Sequence, residues 1–339
     1  MDVLSDVITT MRVGHPVSAR VRRQAPWGRR YPARSGAAFH VILQGTCWLL
    51  RPGDEPIALG PGDVVFLPRA VDHALADAPS SPLTEPSCPP GEDGVHLGQR
   101  EELPPEGAPR GSGVPSVTLC GAYQLDPAHA HPLLGDLPEI VHLPARLGRH
   151  PELRAAVDLL GGELENARLG AGAAVPALLD VLLLFILRAW FDDHADRDAA
   201  TGWGAALGDP AVAAALAAIH RDPARPWTVR ELGAQAGLSR APFARRFTAL
   251  AGQPPLAYLT WWRMTIAARL LRESDAPLSG IANQVGYASE FALANAFKRR
   301  YGTAPGRYRK QARAKSPAAG AALPERQTPA DPALSGGQQ

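Results

Sequence analysis

Cysteine is scarce in this chain of 339 residues: Cys47, Cys88 and Cys120 are the three, without regular spacing. A disulfide framework is therefore excluded as the source of stability. An uninterrupted apolar run of membrane-spanning length, about 20 residues, is also lacking. The most apolar stretch, Val175 to Phe191 (VPALLDVLLLFILRAWF), is broken by Asp180 and Arg188, so a buried or dimer-forming helix is expected there and no membrane contact. No charged-then-apolar leader opens the chain, which makes the cytoplasm the expected compartment. Between residues 79 and 115 large apolar side chains are nearly missing, and Pro, Gly and Glu dominate. That stretch reads as a long mobile loop.

A net charge of one sign is also lacking, since the total is only +2. The near balance conceals two opposed parts. Residues 1–208 carry 17 Lys/Arg against 25 Asp/Glu, whereas residues 209–310 carry 15 against 6. A basic C-terminal part beside an acidic N-terminal one points to a polyanionic partner for the former alone.

The first 80 residues hold short apolar runs, such as Phe39–Leu43 and Val64–Leu67, bounded by Gly45, Gly53, Gly60 and Gly62. These read as strands of an all-β unit, with strands resuming near SVTLCGAYQL. From about Pro151 the period becomes helical. DDHADRDAATGWGAALGDP reads as the linker to the basic part, and the chain from about Ala314 as a disordered Ala/Pro/Gly/Gln tail. The expected division is residues 1–200, 201–312 and 313–339.

The basic part contains a repeat. At an offset of 50, Ser239 aligns with Ser289, Phe243 with Leu293, Phe247 with Phe297, Gly252 with Gly302, Pro255 with Pro305 and Tyr258 with Tyr308. In the first copy Thr228 and Glu231 have capping-box spacing, Leu232 and Ala236 form a buried face, Gly237 supplies a turn and Ser239 caps the next helix. In the second copy Ile281, Ala282 and Val285 are buried, Gly286 turns and Ser289 caps. Helix, Gly-bearing turn, helix is the pattern of a DNA-reading helix-turn-helix. Two copies joined by the helix LAYLTWWRMTIAARLLRE could read successive major grooves, roughly 34 Å apart.

The residues Ile281-Ala282, Val285-Gly286-Tyr287, Phe297-Lys298, Gly302, Pro305 and Tyr308-Arg309 resemble the C-terminal signature of the AraC/XylS transcription regulators. That resemblance implies base-contacting positions at Ala241, Ala244 and Arg245 in the first recognition helix and at Phe291, Ala292 and Asn295 in the second. Arg245 suits a guanine edge, Asn295 an adenine, and Phe291 a thymine methyl. Arg240, Arg246, Lys298, Arg299 and Arg300 are expected on phosphates.

Residues Gly62 to His73 (GDVVFLPRAVDH) fit the second cupin motif, with Ala70 where that motif usually has Gly. The N-terminal part resembles the cupin-type sensor domain fused to one branch of these regulators. The implied fold is multidomain α+β: a cupin-like β-barrel with following helices, then an all-α domain with two helix-turn-helix units. The implied function is effector-controlled, sequence-specific binding of double-stranded promoter DNA, as a homodimer and with RNA polymerase as a further contact. The effector is a small molecule or a redox signal.

The other reading is a cupin metalloenzyme with an auxiliary DNA-binding tail. Against it, Ala38 stands where the first cupin motif would place its Glu, and of the imidazoles only His40 and His73 are suitably placed. Two imidazoles are too few for a tight metal site, so no catalytic residue, metal or cofactor is expected. His40, His73, Cys47 and Cys120 are candidates for an effector pocket, and Cys88 for a redox thiol. His129 and His131 are either turn residues or part of a metal pair.

Overall fold

The structure, a computed structural model, describes residues 3–11, 16–85, 99–102, 115–123, 131–166, 168–194 and 202–315. Helix α1 (Val3–Met11) precedes strands β1 (Val17–Arg23), β2 (Gly28–Tyr31), β3 (Ala37–Gln44), β4 (Cys47–Leu50), β5 (Ile57–Leu59), β6 (Val64–Leu67), β7 (His73–Ala76), β8 (Gln99–Glu102) and β9 (Ser116–Tyr123). A short helix α2 (Pro132–Asp136), strand β10 (Val141–Leu143) and the helices α3 (Pro151–Glu165) and α4 (Ala171–His194) complete this part. The strands form two sheets, ordered β10-β6-β3-β9-β1-β8 and β2-β7-β4-β5, antiparallel except for the β1–β8 pair.

Period-2 alternation gives the larger sheet two apolar faces. Phe39, Val41, Val64, Phe66 and Leu119 pack with helical residues such as Val7, Leu153, Leu160 and Leu182. Ile42, Val65 and Leu67 point the other way, toward Cys47, Leu49, Leu59 and Leu75 of the smaller sheet. The interior of the barrel is therefore lined from both sheets, and His40 and Cys120, opposite each other in the β3–β9 register, fall on that inner side.

One glycine is required by this packing. Gly121 lies opposite Phe39 in the register, and a Cβ there would sit 2.3 Å from the Phe39 ring and 2.6 Å from the Val17 carbonyl oxygen. In the cupin-like motif, Ala70 has φ +39°, the left-handed region that costs an L-residue roughly 1–2 kcal/mol. That is the physical reason glycine is usual at this position. Asp63 of the same motif clamps the turn before β6, accepting from Gly60 N at 3.0 Å and from Ala145 N at 2.7 Å.

Several elements depart from the sequence expectations. Within the span read as a loop, residues 99–102 form β8, which pairs in parallel with the edge of β1. Backbone pairing, which needs no apolar residue, supplies that strand. The supposed linker contains α5 (Trp203–Gly208), anchored by a buried Trp203 whose backbone N–H donates to Asp136 at 2.9 Å. Helix α1 lies in a stretch read only as strands.

The remaining helices are α6 (Pro210–Arg221), α7 (Val229–Gln235), α8 (Arg240–Ala251), α9 (Pro255–Glu273), α10 (Leu278–Gln284), α11 (Glu290–Tyr301) and α12 (Pro305–Lys315). One continuous apolar cluster runs from α1, α3 and α4 into α6, α7, α8 and the first half of α9. A second cluster holds the end of α9 with Ile281, Val285, Leu293 and Phe297. Helix α4 has the length and composition to cross a membrane, yet it packs along α3 and β10, with Leu179, Leu182 and Ile186 fully buried.

Candidate functional site

Helices α7 and α8 form the first helix-turn-helix. The side chain of Thr228 accepts from Glu231 N, and Glu231 accepts from Thr228 N at 2.9 Å, so the capping box is complete. Gly237 turns the chain at φ +66°. Phe243 and Phe247, their rings tilted against each other with centres 5.7 Å apart, are buried beneath α8. Ala241 and Arg245 lie on the opposite, exposed face, with Ala244 at its half-buried edge. Ser239 occupies the N-cap position of α8, but its hydroxyl makes no capping bond, contrary to expectation. Its extended backbone ends the turn without that contribution.

Helices α10 and α11 repeat the arrangement. Ser289 Oγ accepts from Ala292 N at 3.2 Å, and Leu293, Ala296 and Phe297 are buried. Ala292 and Asn295 are exposed, and Phe291 is 74% exposed. All six positions implied for base contact therefore lie on two structurally equivalent helix faces turned away from the core.

The cations flank these faces. Arg240 is exposed at the start of α8, and Lys298, Arg299 and Arg300 are exposed in the last turn of α11, where they also complement the helix dipole. Arg246 is different. Its Nε donates to Asp209 at 2.7 Å, and Asp209 also caps α6 through the N–H groups of Ala211 and Val212. Together these contacts hold the Asp209 carboxyl below the usual carboxylate range against the opposing effect of burial. The expectation of a free phosphate contact at Arg246 competes with this ion pair. Arg300, besides its place on α11, lines a cleft of about 1110 Å³ together with Trp203, Asp209, Gly252 and Trp261.

In the barrel, the effector-pocket candidates do come together. His73 Nδ1 lies 2.7 Å from the Val71 carbonyl oxygen and must donate to it, which leaves Nε2 as an acceptor. His40 Nε2, 2.8 Å away, therefore donates to His73, and His40 Nδ1 accepts from the Cys120 thiol at 3.1 Å. Burial first, and the charge of Arg23 second, lower the His40 pKa to about 3. Burial, then His40, lower that of His73 to about 3. Both imidazoles are neutral near pH 7.

Tyr31 stacks on His73 at 5.1 Å. The almost fully buried Arg23 donates to Thr118 Oγ1 at 2.7 Å and to the Tyr31 hydroxyl at 3.1 Å. Cys47 lines the same interior, and burial pushes its thiol up to about 12. Sequence reasoning missed Arg23 and Tyr31, whose signal was only their alternation within strands. Among the described residues, no group of three or more His, Cys, Asp or Glu is arranged to hold a metal ion. Cys88 and His129 lie outside the described residues.

His131 does not read as a simple turn residue. It caps α2, with Nδ1 accepting from Leu133 N at 3.0 Å, and its Nε2 lies 3.1 Å from the Tyr258 hydroxyl of α9. That hydroxyl is 2.7 Å from His220 Nε2 of α6, whose Nδ1 is 3.1 Å from Asp6 of α1. The four groups are buried together where the barrel's helices meet the first helix-turn-helix.

Comparison with known proteins agrees with both halves of this architecture. A cupin family matches residues 2–192, and a helix-turn-helix domain family matches residues 232–311. An AraC-like transcription regulator of Streptomyces lividans is 38% identical over 314 residues, covering 91% of this chain and 98% of the relative. The HTH-type transcriptional regulator AlkR of Acinetobacter baylyi is 30% identical over 92% of this chain and its own full length. Among solved structures, the DNA-binding domain of AdpA in complex with a target DNA is 36% identical, covering 32% of this chain and 96% of that chain, with a TM-score of 0.30.

Proposed function

Because the chain belongs to the AraC-like transcription regulators and is a DNA-binding regulator rather than an enzyme, we propose that α8 and α11 read two consecutive major grooves of one promoter duplex. The observation that carries this reading is the repeated geometry. Each helix is seated by buried apolar residues, with its opposite face exposed and basic side chains nearby. Ala241, Ala244 and Arg245 meet one half-site, and Phe291, Ala292 and Asn295 the other. Arg245 donates to a guanine, Asn295 pairs with an adenine edge, and Phe291 packs on a thymine methyl. Arg240, Lys298, Arg299 and Arg300 bind phosphates, and Arg246 does so only by exchanging Asp209 for one.

The test contrasts two substitutions on selected and random duplexes. Arg245→Ala should cost about 1–3 kcal/mol on the selected site and relax preference at one base pair. Lys298→Ala should weaken both duplexes equally and flatten the salt slope by about one unit. Equal losses on both duplexes for Arg245→Ala would remove its base-reading role.

Residues 1–200 serve as the sensing part, residues 201–312 as the binding part and residues 313–339 as a tail. The polar cluster of His40, His73 and Cys120, with Cys47 beside it, supports a small-molecule or redox effector site inside the barrel. An effector acts there only if it binds one domain arrangement better than another. The outer face of α4 supports a homodimer: Val181 is exposed, and Leu178 and Phe185 are half-exposed at three- and four-residue spacing, while Leu159 of the adjoining α3 is exposed as well. The cytoplasm is the compartment this activity requires, and RNA polymerase is a further contact.

A further inference from the structure

The two helix-turn-helix units have separate buried cores, with Leu232, Phe243 and Phe247 in one and Ile281, Val285, Leu293 and Phe297 in the other. Helix α9 joins them, and a shared helix alone would leave their relative angle open to bending. A second connection is present. Arg263, midway along α9, donates from Nε to the Pro223 carbonyl at 2.7 Å and from Nη2 to the carbonyls of Arg225 at 2.8 Å and Ala224 at 3.3 Å. Three consecutive carbonyls of the α6–α7 loop are thus gathered by one guanidinium, whose planar fork suits such a task.

The backbone held in this way is the surface on which the second unit rests. Gly286, in the α10–α11 turn at φ +74°, lies so near that a Cβ would stand 2.3 Å from the Ala224 carbonyl oxygen and 2.8 Å from its Cα. The neighbouring Tyr287 is half-buried, with the Arg263 guanidinium 6.0 Å from its ring centre. Arg263 therefore touches the entrance of the first unit and the turn of the second, although it lies on neither recognition helix.

We infer that Arg263 and Gly286 are positioning residues for DNA recognition, fixing the separation and angle of α8 and α11 and thereby the number of base pairs allowed between the two half-sites. This inference rests on the two-groove reading above. One inserted base pair rotates the second half-site by roughly 34° about the duplex and displaces it by about 3.4 Å, since a turn takes about 10–10.5 base pairs over 34–36 Å. A rigid pair of reading helices cannot follow both changes, whereas a hinged pair can.

The experiment uses the full chain. A binding site is selected from random duplexes, its two halves are located by base substitution, and affinities are measured for the selected spacing and for one base pair added or removed. Wild type should lose at least about tenfold with either change, comparable to a mismatched base pair. In Arg263→Met and Gly286→Ala the loss should shrink to under about threefold, with base preferences within each half unchanged. Arg263→Lys, which keeps a donor at the site, should fall between. Thermal unfolding reports whether each variant folds, and Arg263→Gln replaces any that does not. A two-part site with the same spacing penalty in wild type and variants would overturn the clamp and leave the two-groove reading intact. A selected site with a single half would overturn that reading and this inference with it.

Discussion

An imidazole that is neutral in the folded chain and free to charge in the unfolded one makes stability fall with acid, and His40 and His73 are two such groups. Their pKa values drop from 6.5 to about 3 on folding, chiefly through burial. Their contribution is therefore complete above about pH 6.5 and is lost as pH falls from there toward 3. Chemical denaturation between pH 6 and 5 should show His73→Gln losing stability less steeply than wild type, by about one proton taken up on unfolding. A slope identical to wild type would mean that His73 is already charged or solvated in the folded chain. Of this cluster, His40 and His73 were legible as remnants of a motif. Cys120, also a candidate from the sequence, is set against His40 by the strand register, and Arg23 was hidden because an arginine in a strand ordinarily marks a solvent face.

Among the elements, β3 and β9 depend on one missing side chain. Gly121→Ala would ordinarily favour a strand slightly, but here the Phe39 ring and the Val17 carbonyl already occupy the space. We expect a net destabilisation of about 1–3 kcal/mol, read as a lower urea midpoint with unchanged slope. A midpoint at or above that of wild type would show that the ring moves aside freely. The helix-turn-helix units were the most legible elements, because capping residues, turn glycines and apolar spacing agreed twice at one offset. The short α1 and α5 were not. Each is stabilised by what it packs against, α5 through Trp203 and α1 through α4, α6 and α9, and tertiary partners are not written in a local window.

At the scale of the whole molecule, the outer side of α4, with exposed Val181 between half-buried Leu178 and Phe185, bears on assembly. Val181→Glu together with Leu159→Glu should turn a sedimenting dimer into a folded monomer, with weaker binding to paired sites and unchanged base preference at a single site. If wild type itself sediments as a monomer at every concentration used for DNA binding, this face has another role. The 17-residue apolar run was legible as a buried or pairing helix, and the structure gives it both a fully buried side and an outer apolar stripe.

The buried chain of Asp6, His220, Tyr258 and His131 draws on α1, the N-cap of α2, α6 and α9, so its members are separated by most of the sequence. Recombination that exchanged the cupin-like half of this chain for that of a distant relative would have to import both sides of that seam at once, or leave polar groups facing an apolar surface. Inheritance of the two halves is thereby coupled. Variation in the cupin-like half is expected to arise by substitution inside the barrel more readily than by exchange of the whole half.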